Sequence, residues 1–241
     1  MPEPITIQFG DLVRASFLDR PNRFIVRCVL HTSGEKVEAH LADPGRLKEL
    51  LLPGAVLYLR SADNPARKTQ WSASLVLAPD GVTLVSLQST MANNLARKAL
   101  EQGAIDELAD WTLRRAEYTH GKSRYDFYLE KGARGRMLLE VKSCTLVEDG
   151  IAMFPDAITT RGTRHVQTLA QLLEAGEFET AVLFVVQRAD GEGFSPAKHI
   201  DPAFAKALKN ANDKGVKLLV YNAVVDKTGI TWGRKLHIDF S

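Results

Sequence analysis

Ser123-Arg-Tyr-Asp-Phe-Tyr-Leu-Glu passes through Lys131-Gly-Ala-Arg-Gly into Arg136-Met-Leu-Leu-Glu-Val-Lys-Ser-Cys. Read as a hairpin centred near Ala133, this sets Asp126 opposite Glu140 and Arg124 opposite Lys142. Side chains alternate along a strand, so Glu140 and Lys142 share a face and Val141 points to the other. Directly opposed residues stand only ~5 Å apart, where two carboxylates repel. A divalent cation between them removes the repulsion, and a lysine beside them orients a water or stabilises charge on a phosphate. Mg²⁺ or Mn²⁺, both hard cations, suit such carboxylates. The plain alternative for Glu140 and Lys142 is a surface ladder of ion pairs, and a one-residue slip would undo the facing pair. A carboxylate set among Met137, Leu138, Leu139 and Val141 nevertheless calls for a reason.

A second group follows. Thr160 to Ala175 reads as a helix, with Val166, Leu169, Ala170 and Leu173 on its apolar stripe. Arg161, His165 and Thr168 fall beside that stripe on one face. Arg161 can clamp a phosphate and His165 can hydrogen-bond a phosphate or a metal-bound water. The alternative is the polar flank of an amphipathic helix, with Asp156 as its N-terminal cap.

Charge points the same way. Residues 114–142 carry eight basic and four acidic groups, a local +4, against +2 for all 241 residues. Lys122 and Arg124 lie in this segment as candidate nucleic-acid contacts, because neutralising phosphates releases counterions. A solvated surface balanced by acids elsewhere is the competing explanation.

The elements that must position these groups fall into two kinds. Up to about Leu87 the chain is strand-like: Leu12–Phe17, Phe24–Leu30, Lys36–Leu41, Ala55–Arg60, Trp71–Leu77 and Val82–Leu87, with one helix expected at Arg46–Leu52. Short strands with a helix between the third and fourth suggest a Greek-key barrel of the OB type. Phe24, Tyr58 and Trp71 are either barrel core or stacking platforms for bases. Beyond residue 88 helices and strands alternate: helices at Asn93–Glu101, with a continuation over Glu107–Leu113, and at Ala203–Asp213; strands at Tyr125–Leu129, Met137–Lys142, Ile151–Phe154, Ala181–Val186 and Lys217–Tyr221. The expected architecture is thus a two-domain α+β chain, with a barrel over 1–87 and an α/β domain with a mixed sheet over 88–241.

Composition excludes other classes. Hydrophobic residues are 45% and charged residues 25%, ordinary for a globular chain and unlike a disordered or collagen-like one. The apolar runs are too short to span a bilayer. Two cysteines build neither a disulfide framework nor a four-thiolate zinc site. The opening residues lack a charged head followed by an apolar run, so a cytoplasmic protein is expected. Gly121-Lys-Ser lacks the earlier glycine and the following helix of a P-loop, and Gly191-Glu-Gly lacks the third glycine of a dinucleotide loop. Ser195, His199 and Asp201 resemble a compressed triad without a nucleophile elbow, and read better as a loop leading into a helix. Cys144 reads as packing.

An acid on one strand and Glu-x-Lys on the next resembles the PD-(D/E)-x-K nuclease superfamily. The wider set is more specific. Ser123-Arg-Tyr-Asp-Phe, Glu140-Val-Lys-Ser-Cys-Thr-Leu, Phe154-Pro-Asp-Ala-Ile-Thr-Thr-Arg-Gly, His165 and Ser195-Pro-Ala-Lys-His-Ile-Asp together resemble the sugar fermentation stimulation protein A family, in order and over nearly the whole chain. The resemblance implies an OB-like barrel followed by a restriction-endonuclease-like domain, sequence-independent DNA binding, and a regulatory link to maltose metabolism. It also implies catalytic roles for Asp126, Glu140 and Lys142, with the Val141 carbonyl completing a metal shell. Two departures stand out: the superfamily's Pro-Asp is Tyr125-Asp126, and Ala42-Asp-Pro-Gly-Arg replaces a Pro-Asn-Thr-Gly-like turn. Two functions follow: a Mg²⁺- or Mn²⁺-dependent nuclease, favoured by the intact Asp, Glu and Lys, or a DNA-binding regulator without turnover, favoured by the family's usual description.

Overall fold

The protein is described from a computed structural model covering residues 3–240; Met1 and Pro2, at the head of the segment read for a leader, and Ser241 lie outside it. The first strand, β1 (Thr6–Gln8), precedes any expected element. It pairs antiparallel with a strand near the other end of the chain, and Ile5 and Phe9 on either side of it are buried in the core shared by both halves. Too short for a visible period, it gains its place from that distant edge.

Next come β2 (Leu12–Asn22), β3 (Ile25–Leu30), β4 (Lys36–Leu41), β5 (Val56–Ser61), β6 (Trp71–Leu77) and β7 (Leu84–Ser86). They form one sheet in the order β4-β3-β2-β5-β6-β7, and a parallel pairing of β4 with β6 closes five of them into a barrel of the OB type. Its core holds Phe17, Val26, Leu41, Leu57, Leu59 and Val76. The helix expected at Arg46–Leu52 is a single turn, in which Leu50 and Leu51 donate to the Leu47 carbonyl. Leu47 itself holds φ 51°, the left-handed region in which a right-handed helix cannot continue.

The second half opens with α1 (Ser89–Glu101). The expected helical continuation at Glu107–Leu113 shrinks to a 3₁₀ turn at Asp106–Leu108, and the chain then extends as β8 (Thr112–His120), β9 (Ser123–Lys131) and β10 (Gly135–Cys144). β8 escaped the sequence reading because its register with β9 shifts between Leu113 and Arg115, which breaks the period of two. Then follow β11 (Leu146–Glu148), β12 (Ile151–Phe154), α2 (Thr160–Glu174), β13 (Glu179–Val186), β14 (Gly193–Pro196), α3 (Pro202–Asp213), β15 (Lys217–Val225), β16 (Gly229–Lys235) and β17 (His237–Ile238). The large mixed sheet runs β1-β16-β15-β13-β10-β9-β8, with β10, β13 and β15 parallel, and a small sheet runs β11-β12-β14-β17. β13 is buried along nearly its whole length, as its unbroken apolar run requires of a strand covered on both faces. One face meets α2 and α3; the other meets α1 and the barrel residues Tyr58 and Leu75. No helix among the described residues is long and apolar enough to cross a membrane.

Candidate functional site

β9 and β10 pair in the register expected, from Gly135–Lys131 to Leu139–Phe127, and the ladder stops there, one step short of Glu140 and Asp126. The cause lies in β9. Phe127 and Leu129 pack on the α1 side of the sheet, whereas Tyr125 packs on the α2 side, so the alternation breaks at Asp126. Beside it on β8, Glu117 holds φ 53°. The Asp126 carboxylate takes over the missing rung: Val141 N donates to Oδ2 at 2.7 Å, and Asn93 Nδ2 on α1 donates to Oδ1 at 2.7 Å.

Glu140 turns instead to α2. Its Oε1 accepts from Lys142 Nζ at 2.5 Å and from His165 Nδ1 at 2.9 Å. The side chains of Glu140, His165 and Lys142 are only 7%, 7% and 16% exposed. Because a carboxylate only accepts, the ring donates from Nδ1. The helix that carries His165 is held by Thr159, whose side chain caps it by accepting from Gly162 N. The cap expected of Asp156 is therefore made by Thr159.

The two carboxylates are not hydrogen-bonded to each other, but they are electrically coupled. Burial, and then the charge of Glu140, raise the Asp126 carboxyl above the ordinary range, against the Val141 and Asn93 bonds. Burial acts on Glu140 too, yet its bonds to His165 and Lys142 outweigh it and hold its carboxyl below the ordinary range. Among the described residues no three His, Cys, Asp or Glu side chains gather as a metal cluster.

Asp126, Val141 and Lys142 line a cleft of about 970 Å³ between the two halves. α1 forms one wall, residues 153–159 another, and the barrel loop 43–48 a third. That loop is anchored twice: Ser89 Oγ on α1 donates to the Ala42 carbonyl, and Leu47 N donates to Asp156 Oδ2 at 3.0 Å. A Cβ on Gly45 would stand 2.5 Å from Asp156 Oδ2 and 2.9 Å from Asp43 Oδ1, so the two carboxylates would have to shift to admit one. Asp43 is 6% exposed, and its carboxyl is pushed up to about 6 by burial and by Asp156, against its bond from Gly45 N and the attraction of Arg20.

The cationic residues fall elsewhere than the local +4 suggests. Lys122 and Arg161 are exposed and do not line the cleft, and Arg124 pairs with Glu117 at 3.7 Å. Arg114 and Lys131 are paired with Glu130 and Asp110, and Arg136 lies over the Phe178 ring. His165 is buried against Glu140, not presented to solvent. Besides Lys142 and Arg20, the cleft takes its cations from Arg23, Arg46 and Lys48 of the barrel and Arg97 of α1. Arg23, Lys48, Arg97 and Asn93 carry no signal in the sequence because they sit in turns and on a helix far from the motif; Arg46 stands out there only within Ala42-Asp-Pro-Gly-Arg, the departure from the family's turn. Ser195, His199 and Asp201 form no triad: His199 faces Glu148, and Asp201 caps α3.

A family model described as Sugar fermentation stimulation protein RE domain matches residues 90–229, and one described as SfsA N-terminal OB domain matches residues 18–86. Sugar fermentation stimulation protein homologs from Shouchella clausii and Moorella thermoacetica are 44% and 40% identical over 91% and 92% of this chain, and over 94% of each relative. The solved structure of Pyrococcus furiosus SfsA in complex with Ca²⁺ superposes at a TM-score of 0.89, covering 99% of this chain and 100% of that one at 24% identity. At that identity the likeness speaks to the fold.

Proposed function

The chain belongs to the sugar fermentation stimulation protein family, and from that premise we propose that its cleft binds polynucleotide and hydrolyses phosphodiester bonds with a divalent cation. One observation carries the reading: Asp126, a carboxyl raised by burial and by the charge of Glu140, lies at the floor of a cleft walled by arginines and lysine. The ammonium beside it, Lys142 Nζ, is bonded to Glu140 Oε1.

Asp126, Glu140 and the Val141 carbonyl would hold Mg²⁺ or Mn²⁺. The donors are all oxygen, and Mg²⁺ uses one or two carboxylates and leaves its remaining positions to water and substrate phosphate. The N–H and C=O of one strand residue project to the same edge, so the Val141 carbonyl opens toward the gap where its N–H meets Asp126. When bound, the cation supplies charge for phosphate oxygens and acidifies a water. Lys142 orients that water or balances charge on the phosphate. Asn93 and His165 hold the two carboxylates in place. Binding through unpartnered cations is largely sequence-independent and falls steeply with salt.

The experiment is incubation of metal-stripped protein with labelled DNA and RNA, with and without Mg²⁺ or Mn²⁺. Products are expected only with metal, and Glu140→Ala abolishes them while binding is kept or strengthened, since a charge that repels phosphate is gone. A second reading, a DNA-binding regulator without turnover, is favoured by the engagement of Glu140 with Lys142 and His165. Wild-type protein that yields no products on any substrate with either metal supports that second reading.

A further inference from the structure

Arg23, Arg46, Lys48 and Arg97 line the cleft, are exposed, and have no ion-pair or side-chain hydrogen-bond partner among the described residues. Two of their loops are held in place by one side chain. The Arg20 guanidinium donates to the carbonyls of Arg23 (2.7 Å), Gly45 (2.8 Å), Arg46 (2.8 Å) and Asp43 (3.3 Å), tying the β2–β3 turn to the 43–48 loop. The backbone that carries Arg23 and Arg46 is thus set before any ligand arrives, which lowers the loop-ordering part of the cost of binding.

Next to Arg23 stands Phe24, 52% exposed. Its backbone is fixed at both ends: its N–H donates to Asn22 Oδ1, and its carbonyl accepts from Leu41 N. A solvent-facing aromatic on an anchored backbone, beside an unpartnered arginine, is a platform for a flat ring. Bases offer their faces only in an unpaired strand, since in a duplex they are stacked on one another. The cleft agrees. It is built from two barrel loops, α1 and residues 153–159, a channel lined by polar and cationic side chains that can follow one backbone. The anchors of the 43–48 loop to α1 and to Asp156 oppose widening.

We propose that the barrel side of the cleft seats one unpaired polynucleotide strand, with Arg23, Arg46, Lys48 and Arg97 on its phosphates and Phe24 on a base. The inference rests on the polynucleotide reading above and specifies the form of the ligand. A duplex reaches this seat only at a frayed end or a gap.

The test is fluorescence anisotropy in EDTA, so that no cleavage intervenes, with a labelled DNA oligonucleotide alone and annealed to its complement. The single strand is expected to bind at least about tenfold tighter than the duplex. In Arg46→Ala/Lys48→Ala the slope of log affinity against log salt for the single strand falls by about 1.4, at ~0.7 per lost phosphate contact. Phe24→Ala weakens the single strand at least about fivefold and leaves the duplex unchanged. Arg114→Ala, paired with Glu130 outside the cleft, changes neither. A duplex that binds as tightly or tighter, or a Phe24→Ala variant with unchanged single-strand affinity, overturns this inference alone. Wild-type protein that binds neither form overturns it together with the polynucleotide reading.

Discussion

Asp43→Asn should stabilise the protein at neutral and alkaline pH and leave it unchanged in acid. Asp43 is buried beside Asp156, and its carboxyl is raised from 3.8 to about 6. A carboxyl raised in the folded state favours folding while it stays protonated. That contribution is complete below about pH 4 and is lost as pH rises through about 6. At 1.36 kcal/mol per pKa unit, the wild type forfeits about 3 kcal/mol between those limits. Asparagine keeps the oxygen that accepts from Gly45 N and carries no charge at any pH, so the variant escapes the loss. The gain of about 3 kcal/mol is an upper bound, because the denatured chain is the reference and partial hydration lowers it. Urea denaturation of both proteins at pH 4, 6 and 8 reads the difference directly, since every other titrating group is common to the two. The reasoning is refuted by a difference that does not change with pH, or by a variant less stable than wild type at pH 8. Either result would mean that Arg20 compensates the buried charge.

Other perturbations test neighbouring parts of the structure. His165→Leu leaves Glu140 with one partner in a nearly closed site, so urea denaturation should show a loss of about 2–4 kcal/mol. Gly45→Ala forces a methyl against Asp156 and Asp43; unfolding should be eased by about 1–3 kcal/mol, and protease should cut the 43–48 loop faster if the Leu47–Asp156 bond is lost. Cys28 and Cys144 are buried with thiols raised above the ordinary range, chiefly by burial, so a thiol reagent should label neither in the native protein and both in urea.

Much of this architecture was legible because local pattern and tertiary role agree. The strands of the barrel, the apolar run of β13 and the stripe of α2 each carry the period of the surface that they bury. The hairpin register was legible for the same reason, up to Leu139 and Phe127. What failed did so where long-range contacts overrule local signals. β1 exists because β16 offers an edge to it. The helix expected at Arg46–Leu52 gives way to a loop whose Leu47 N–H is taken by Asp156, more than a hundred residues on. The cationic stretch 114–142 left a phosphate-binding face and a surface balanced by acids both open, because only the fold shows which of its charges meet Glu130, Asp110 and Glu117 in space. Conversely, Arg23 and Arg46 look like ordinary turn residues until Arg20 brings their two loops together.

The claim that Asp126 and Glu140 form one cation seat is tested most directly by Mn²⁺ titration of the metal-free protein, followed by the electron paramagnetic resonance of free Mn²⁺. Wild type should take up one ion per chain, and Asp126→Asn and Glu140→Gln should each weaken that uptake by tenfold or more, with folding verified by circular dichroism. Uptake that is absent in wild type, or equal in wild type and both variants, contradicts the account.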